Sequence, residues 1–142
     1  MSVAAPELSV LLPAFNEAES LPQLWSELGP VLDALGRATE VIIVDDGSTD
    51  ATPAIARALH ERDARVRLLR LAGNGGLSVA LDAGFARARG RIVVTLDSDL
   101  QNDPRDIPRM LAHLDGYDAV TGWRQRRDDP WQIGRASCRE RV

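Results

Sequence analysis

The sequence predicts an α/β domain with a mostly parallel sheet covered by helices on both faces. Short apolar runs rich in valine, isoleucine and leucine alternate with segments whose apolar residues have helical spacing, a pattern typical of strands joined by helical crossovers. The 142 residues are 44% hydrophobic and 27% charged, as expected of one globular domain. Cys138 is the only cysteine, which excludes an intrachain disulfide.

Strands are predicted wherever a short apolar run is bounded by polar or turn-forming residues. The first run ends at Pro13, which cannot donate to a ladder and is expected to close the strand. The last of the five runs, Tyr117–Gly122, is the weakest strand candidate. The predicted strands are Leu8–Leu12, Glu40–Val44, Val66–Leu71, Arg91–Leu96 and Tyr117–Gly122.

Four helices are predicted between and after the first four strands. Leu21 to Leu35 has the i, i+3, i+4 spacing of an amphipathic helix, and Gly29-Pro30 is expected to kink or split it. A second helix begins near Pro53, which the first turn of a helix tolerates. A third runs from Leu77 to Ala88, and a fourth follows Pro104.

The charged residues exclude several classes of protein. All 17 basic residues are arginine, which excludes P-loop binding through lysine, Schiff-base chemistry and lysine general bases. A net charge of -4 argues against a dedicated nucleic-acid binder. The segment 124–142 is instead basic, with six arginines against three acids, and is either a solvated tail or a contact for anions or a membrane surface. The sequence shows neither a signal peptide nor a membrane-spanning apolar run.

Polar residues collect directly after the predicted strands. Ligands of open α/β sheets bind beyond the carboxyl ends of the strands, so these residues are expected to share one cleft. They are Asn16 and Glu17, Asp45 and Asp46, Asn74 to Gly76, Asp97, Asp99 and Gln101, and finally Arg124.

The segment Asp97-Ser98-Asp99-Leu100-Gln101 carries the strongest chemical signal. Carboxylates at i and i+2 just past a strand can converge on a hard divalent cation, and Gln101 adds a neutral oxygen. Oxygen ligands favour Mg²⁺ or Mn²⁺ over zinc. The alternative is that these acids only cap and turn the chain.

Two further segments have a ligand interpretation and a structural one. Asp45 and Asp46 repel each other unless hydrogen-bond donors answer them, and a nucleoside base or ribose supplies such donors. Asp-Gly-Ser-Thr-Asp equally suits a tight turn. Gly73 to Gly76 either approaches a phosphate or turns the chain, and it lacks the G-x-G-x-x-G pattern of dinucleotide-binding folds.

Taken together, these motifs resemble the inverting nucleotide-sugar glycosyltransferases of family two, which have the Rossmann-like GT-A fold. The resemblance rests on LSVLLPAFNEAESL, EVIIVDDGSTDAT, the N-x-G-L-S-x-A-L-x-A-G-F segment and IVVTLDSDLQNDP, and it covers Leu8 to Trp131. The continuation DIPRMLAHLDGYDAVTGWRQRRDDPW is most similar to the subgroup that transfers sugars to polyprenyl phosphates, such as dolichyl-phosphate mannosyltransferases and undecaprenyl-phosphate sugar transferases.

The resemblance implies a donor site for a UDP- or GDP-sugar. Pro13, Asn16 and Glu17 would line the nucleotide pocket, together with the backbone at Gly76. Asp46 would accept a hydrogen bond from the N–H of the base.

Asp45 would lie beside this base contact and would belong to the same nucleotide pocket. Other residues would serve the chemistry. Asp97, Asp99 and Gln101 would hold Mg²⁺ or Mn²⁺ against the diphosphate. Arg124 would meet the phosphate of the acceptor through a charge-assisted contact.

The resemblance also implies a division of the chain. Residues 1–123 would form the nucleotide-sugar-binding part of a GT-A domain, followed by the basic segment 124–142. The ending QIGRASCRERV, residues 132–142, is unlike the family and is expected to be non-native. We therefore expect a truncated, N-terminal fragment whose parent acts in the cytoplasm at the inner face of the cell membrane.

Three other functions stay open at this point. The acceptor could be a glycan rather than a lipid. A phosphotransfer hydrolase would use Asp97 as nucleophile and Asp99 as acid. A fragment could also bind nucleotide without catalysing any reaction.

Overall fold

The structure, a computed structural model, describes residues 5–122 and contains one four-stranded parallel sheet. The strand order is β3-β2-β1-β4, and all three pairings are parallel. The sheet confirms the predicted fold class. The strands are β1 (Leu8–Ala14), β2 (Thr39–Asp45), β3 (Val66–Arg70) and β4 (Ile92–Thr95).

The helices follow the strands in alternation. They are α1 (Ser20–Leu35), α2 (Thr52–Arg62), α3 (Leu77–Arg87) and α4 (Ile107–His113), the last preceded by a 3₁₀ turn at Pro104–Asp106. The chain divides into two compact units after Arg109, and the whole sheet lies in the first. Among residues 5–122, no helix has the length and apolar character needed to cross a membrane.

The direction of the crossovers explains why helices cover both faces. The chain passes through α1 and α2 as it moves from β1 to β2 to β3, whereas α3 leads back across the sheet to β4. Parallel crossovers are right-handed, so opposite directions place the helices on opposite faces. On the sheet, α3 contacts β1 and β2, whereas α2 contacts β2 and β3 and also packs against α1.

The core follows from the alternation of side chains along the two central strands. Leu11, Ile42 and Val44 form a buried cluster with Ala80 of α3. The residues next to these in each strand face the other side of the sheet and are equally buried. These are Val10, Leu12, Val41 and Ile43.

The prediction that Pro13 closes the first strand is wrong, because β1 continues to Ala14. The carbonyls of Glu7 and Leu11 accept bonds from the β4 side of the strand. Pro13 is the next residue facing that side, and it lies beyond Thr95, where β4 ends. Its missing N–H therefore costs no ladder hydrogen bond.

Of the two effects predicted for Gly29-Pro30, a kink or a split, the split does not occur, since α1 runs through Pro30 without interruption. Proline removes the bond to the carbonyl four residues earlier, which belongs to Ser26. Both Ser26 and Pro30 are exposed, so water can satisfy that carbonyl.

The predicted fifth strand, Tyr117–Gly122, is not a strand in the structure. Its residues pair with none of the four described strands. Tyr117 is 72% exposed. A strand needs a ladder partner and a face to bury, and neither is present for this segment within residues 5–122.

Glu40 organises a buried ionic network at the opposite end of the sheet from the strand-end motifs. Its carboxylate accepts hydrogen bonds from Ser9 Oγ at 2.7 Å, from the Arg89 N–H at 2.7 Å and from Arg67 Nη1 at 2.7 Å. Burial alone favours the neutral acid. The hydrogen bonds from Ser9, Arg67 and Arg89 outweigh burial and lower the pKa of Glu40 to about 2.

Acid should therefore destabilise the fold through Glu40. A folded-state pKa below the ordinary value of 4.5 contributes stability above pH 4.5, and this contribution is lost as the pH falls towards 2. The loss is about 3 kcal/mol. Denaturant unfolding at several pH values should show this step in the wild type and its absence in Glu40→Gln. Glu61→Gln, at an exposed position on α2, is the control. An identical pH dependence for wild type and Glu40→Gln would contradict the assignment.

Candidate functional site

A cleft of about 280 Å³ opens at the carboxyl ends of β1 and β4. The strand order makes this the point where the crossovers reverse direction, and such switch points are where open α/β sheets bind ligands. Its polar lining comes from the loop after β1, the end of β2 and the loop after β4. These residues are Glu17, Asp46, Asp97, Ser98 and Asp99.

The remaining lining of the cleft is apolar. Pro13, Ala14 and Phe15 contribute from the end of β1, and Leu77 and Ala80 contribute from α3. Phe15 and Leu77 are 43% and 56% exposed, although large apolar side chains are usually buried. The cleft therefore combines carboxylates with two exposed apolar walls.

The loop after β1 is fixed to the turn after β2 by hydrogen bonds. Asn16 Oδ1 accepts from the Thr49 N–H at 2.9 Å, and the Asn16 N–H donates to Ser48 Oγ at 3.0 Å. Asn16 adopts a φ of 54°, a left-handed conformation that asparagine tolerates. The Glu17 N–H donates to Thr52 Oγ1 at 2.8 Å. Asn16 thus holds the loop in place, and Glu17 reaches the cleft.

Asp45 and Asp46 are adjacent in sequence but have different surroundings. Asp45 is fully buried, and its Oδ1 accepts from the Ser48 N–H at 3.1 Å. Its Oδ2 lies 3.4 Å from Arg70 Nε, an ion pair without hydrogen-bond geometry. Asp46 lines the cleft. Of the predicted pair, only Asp46 faces the site.

Asp46 also holds the glycine loop. Its Oδ1 accepts from the Gly75 N–H and its Oδ2 from the Gly76 N–H, both at 2.8 Å. These N–H groups immediately precede α3, where a helix N-terminus would otherwise favour an anion. The carboxylate of Asp46 already serves as that anion. The structure therefore favours a turn over a phosphate cradle at Gly73–Gly76.

The two carboxylates after β4 are differently constrained. Asp97 is half-buried, and its Oδ2 lies 3.4 Å from Asn102 Nδ2. Asp99 is exposed, and its Oδ1 accepts from the Gln101 N–H at 3.1 Å. Both line the cleft, whereas Gln101 does not. Gln101 contributes its backbone N–H, which orients Asp99.

The donor chemistry of the cleft suits a hard cation. Its ionisable lining is entirely carboxylate, with no arginine or histidine among the described residues. No three His, Cys, Asp or Glu side chains within residues 5–122 are grouped to hold a metal. The described part of the cleft therefore offers fewer ligands than a dedicated all-protein cage. This fits Mg²⁺ or a similar ion, which often takes one or two carboxylates and completes its shell with water and phosphate.

The structure brings together part of the predicted site. Asp46, Asp97 and Asp99 line one cleft with Pro13 and Glu17. Four other predicted residues, Asn16, Asp45, Gly76 and Gln101, lie outside its lining. Arg124 falls outside the described residues. Sequence reasoning missed five lining residues, which are Ala14, Phe15, Leu77, Ala80 and Ser98. All of them except Ala80 adjoin a predicted site residue, which was an available signal.

The sheet order and the acid-lined cleft at its switch point define a GT-A-like α/β domain. The model of the family "Glycosyl transferase family 2" matches residues 9–139. The chain belongs to glycosyl transferase family 2. Membership confirms the predicted family and favours a transferase over a phosphotransfer hydrolase.

Curated relatives include an undecaprenyl-phosphate 4-deoxy-4-formamido-L-arabinose transferase of Salmonella paratyphi B. It is 41% identical over 130 residues, which are 89% of this chain and 40% of the relative. A protein of the same name from Salmonella newport matches equally. The chain thus spans about two fifths of the length of the curated relatives it matches.

Solved structures share the fold. The mannosyltransferase PcManGT from Pyrobaculum calidifontis, in complex with GDP-Man and Mn²⁺, has a TM-score of 0.65 at 27% identity, over 78% of this chain and 32% of that one. Glucosyl-3-phosphoglycerate synthase from Mycobacterium tuberculosis, in complex with UDP, has a TM-score of 0.64 at 29% identity, over 82% and 43%.

Proposed function

We propose that the chain is the donor-binding part of a glycosyltransferase that moves a sugar from a UDP- or GDP-sugar to a polyprenyl phosphate. The observation that carries the proposal is the cleft at the switch point, lined by Asp97 and Asp99 from one loop and by Asp46 and Glu17 from others. The 41% identity to undecaprenyl-phosphate sugar transferases supports a polyprenyl phosphate as acceptor. Such an acceptor is a lipid, so the full-length protein would work at the inner face of the cell membrane.

The cleft suits a nucleoside. Phe15 and Leu77 offer exposed apolar surface on which the flat faces of a base can rest. Asp46 can accept a further hydrogen bond from the base or ribose, since each carboxylate oxygen has two lone pairs. The Gly75 and Gly76 amides already use one on each oxygen. Neither contact selects one base over the other, so UDP and GDP are both candidates.

A divalent ion would be held by Asp97 and Asp99, with Gln101 as a proposed third contact. When bound, Mg²⁺ or Mn²⁺ supplies positive charge that stabilises the leaving diphosphate. Asp97 and Asp99 come from one loop between β4 and the 3₁₀ helix, so an ion held by both would orient the diphosphate relative to the sheet. A solved relative contains Mn²⁺ with GDP-Man, which supports a divalent ion of this class.

The proposed reaction is an inverting displacement at the anomeric carbon. The acceptor phosphate oxygen forms the new bond as the bond to the nucleoside diphosphate breaks. A phosphate is already ionised near neutral pH, so the chain needs no strong general base. Arg124 is proposed to hold the acceptor phosphate through a charge-assisted contact.

Calorimetric titration of the chain with UDP and GDP tests the donor site. We expect micromolar to millimolar binding that tightens at least tenfold when Mn²⁺ is added, because the ion screens the diphosphate from four lining carboxylates. The preferred nucleotide identifies the base. A folded sample that binds neither nucleotide, with or without Mn²⁺, would overturn the proposal.

A further inference from the structure

Ser98 lies between the two carboxylates of the loop after β4 and is almost completely buried. Only 2% of the residue is exposed, whereas Asp97 and Asp99 on either side are half-buried and exposed. Its Oγ donates a hydrogen bond of 2.9 Å to the carbonyl of Pro13, 85 residues earlier in the chain. The hydroxyl thus connects the acidic loop, residues 97–101, to the end of β1.

The bond replaces one that the sheet itself can no longer provide. The Leu96 N–H donates to the Leu11 carbonyl at 3.0 Å, the last backbone bond between β4 and β1. The next carbonyl of β1 on that side belongs to Pro13. Opposite Pro13 the chain has passed the end of β4 at Thr95, and the Ser98 hydroxyl takes the place of a backbone donor.

The acidic loop also contains a residue in an unfavourable conformation. Leu100 has a φ of 65°, which costs a residue with a side chain about 1 kcal/mol or more. Such a conformation persists only where the surrounding contacts determine it. The Ser98 hydroxyl fixes the loop on one side of Asp99, and the Gln101 N–H contacts Asp99 on the other.

We infer that Ser98 is a positioning residue that sets where Asp97 and Asp99 lie relative to the end of β1. The inference rests on the proposed function, because it assigns these carboxylates to a divalent ion. Ser98 adjoins the cleft, but its hydroxyl is buried and donates to the Pro13 carbonyl, so we assign it no direct contact with the ion or the nucleotide. It acts by holding the loop, as residues behind metal ligands generally do, and their loss typically lowers metal affinity 10- to 100-fold.

The test compares Ser98→Ala with Ser26→Ala in the full chain. Ser26 is a matched control because its Oγ also donates to a backbone carbonyl, that of Gln23 at 2.6 Å, on the exposed side of α1. Mn²⁺ affinity is measured by electron paramagnetic resonance in the presence of UDP and of GDP. Amide hydrogen exchange of residues 97–101 is measured without any ligand.

For Ser98→Ala we expect Mn²⁺ affinity to fall at least tenfold while nucleotide affinity without metal changes less than twofold. Exchange at residues 97–101 should rise at least tenfold, and Ser26→Ala should change none of these. Wild-type exchange at this loop in Ser98→Ala would overturn the inference even if the chain bound no metal. Unchanged Mn²⁺ affinity in Ser98→Ala would also overturn it. A wild-type chain that binds neither nucleotide nor Mn²⁺ would instead contradict the proposed function.

Discussion

Replacing Asp99 by asparagine is expected to lower Mn²⁺-supported nucleotide affinity about 100-fold. The substitution keeps the shape of the side chain but removes one of the two carboxylates after β4, and hard divalent ions depend on the charge of their few protein ligands. Asp99 is exposed, and its Oδ1 accepts a hydrogen bond from the Gln101 N–H at 3.1 Å. Calorimetric titration of UDP and GDP with and without Mn²⁺ measures the effect, and Asp97→Asn should behave alike.

Asp103→Asn is the matched control for this loss. Asp103 is a carboxylate only a few residues along the same loop, but it binds Arg105 at 2.7 Å and does not line the cleft. Its substitution should change nucleotide affinity less than twofold. Wild-type Mn²⁺ dependence in both Asp97→Asn and Asp99→Asn would show that the ion does not use these carboxylates.

Gly47→Ala is expected to reduce the free energy of unfolding by about 4 kcal/mol. Gly47 follows the paired aspartates and has a φ of 75°, which a side chain rarely adopts. A β-carbon there would lie 2.6 Å from the Gly73 carbonyl carbon and 2.7 Å from the Asn74 nitrogen. These are backbone atoms, so relief requires the glycine loop to shift away from Asp46. Denaturant unfolding measures the loss.

Gly36→Ala separates the two destabilising effects expected at Gly47, which are the strain of the positive φ and the clash of the added β-carbon. Gly36 has a similar φ of 61° at the end of α1, but nothing lies within 4 Å of an added β-carbon. Its substitution should cost only the conformational strain, about 1 kcal/mol. Equal losses for the two variants would mean that the glycine loop moves freely and does not depend on the turn at Gly47.

The four strands, the three crossover helices and α4 could be predicted because local patterns determine them. The central runs at Leu8 and Glu40 are buried on both faces, and the outer runs at Val66 and Arg91 are largely half-buried, so the apolar character of all four shows in the sequence. The wrong predictions about strands concern features that depend on contacts with distant parts of the chain. Whether Pro13 ends a strand depends on how far β4 extends beside it. Whether Tyr117–Gly122 forms a strand depends on a neighbour that no local pattern reveals.

The site was predictable as a set of strand ends but not in its internal contacts. Alternation along a strand sends adjacent side chains to opposite faces, so it could have shown that Asp45 and Asp46 do not both face the cleft. The bonds from Asp46 to Gly75 and Gly76 join residues about 30 positions apart. The hydrogen bond from Ser98 to Pro13 joins residues 85 positions apart. Such contacts arise from the register of the sheet, which the chain acquires only on folding.

The charge of the cleft has a consequence for how a donor enters it. Four carboxylates line the cleft, and no arginine or histidine among the described residues does. This described lining therefore repels a bare nucleoside diphosphate, the reverse of electrostatic steering. Under the proposed function, the donor enters as a complex already neutralised by its ion, and dissolved salt speeds the encounter of the bare nucleotide by screening the repulsion.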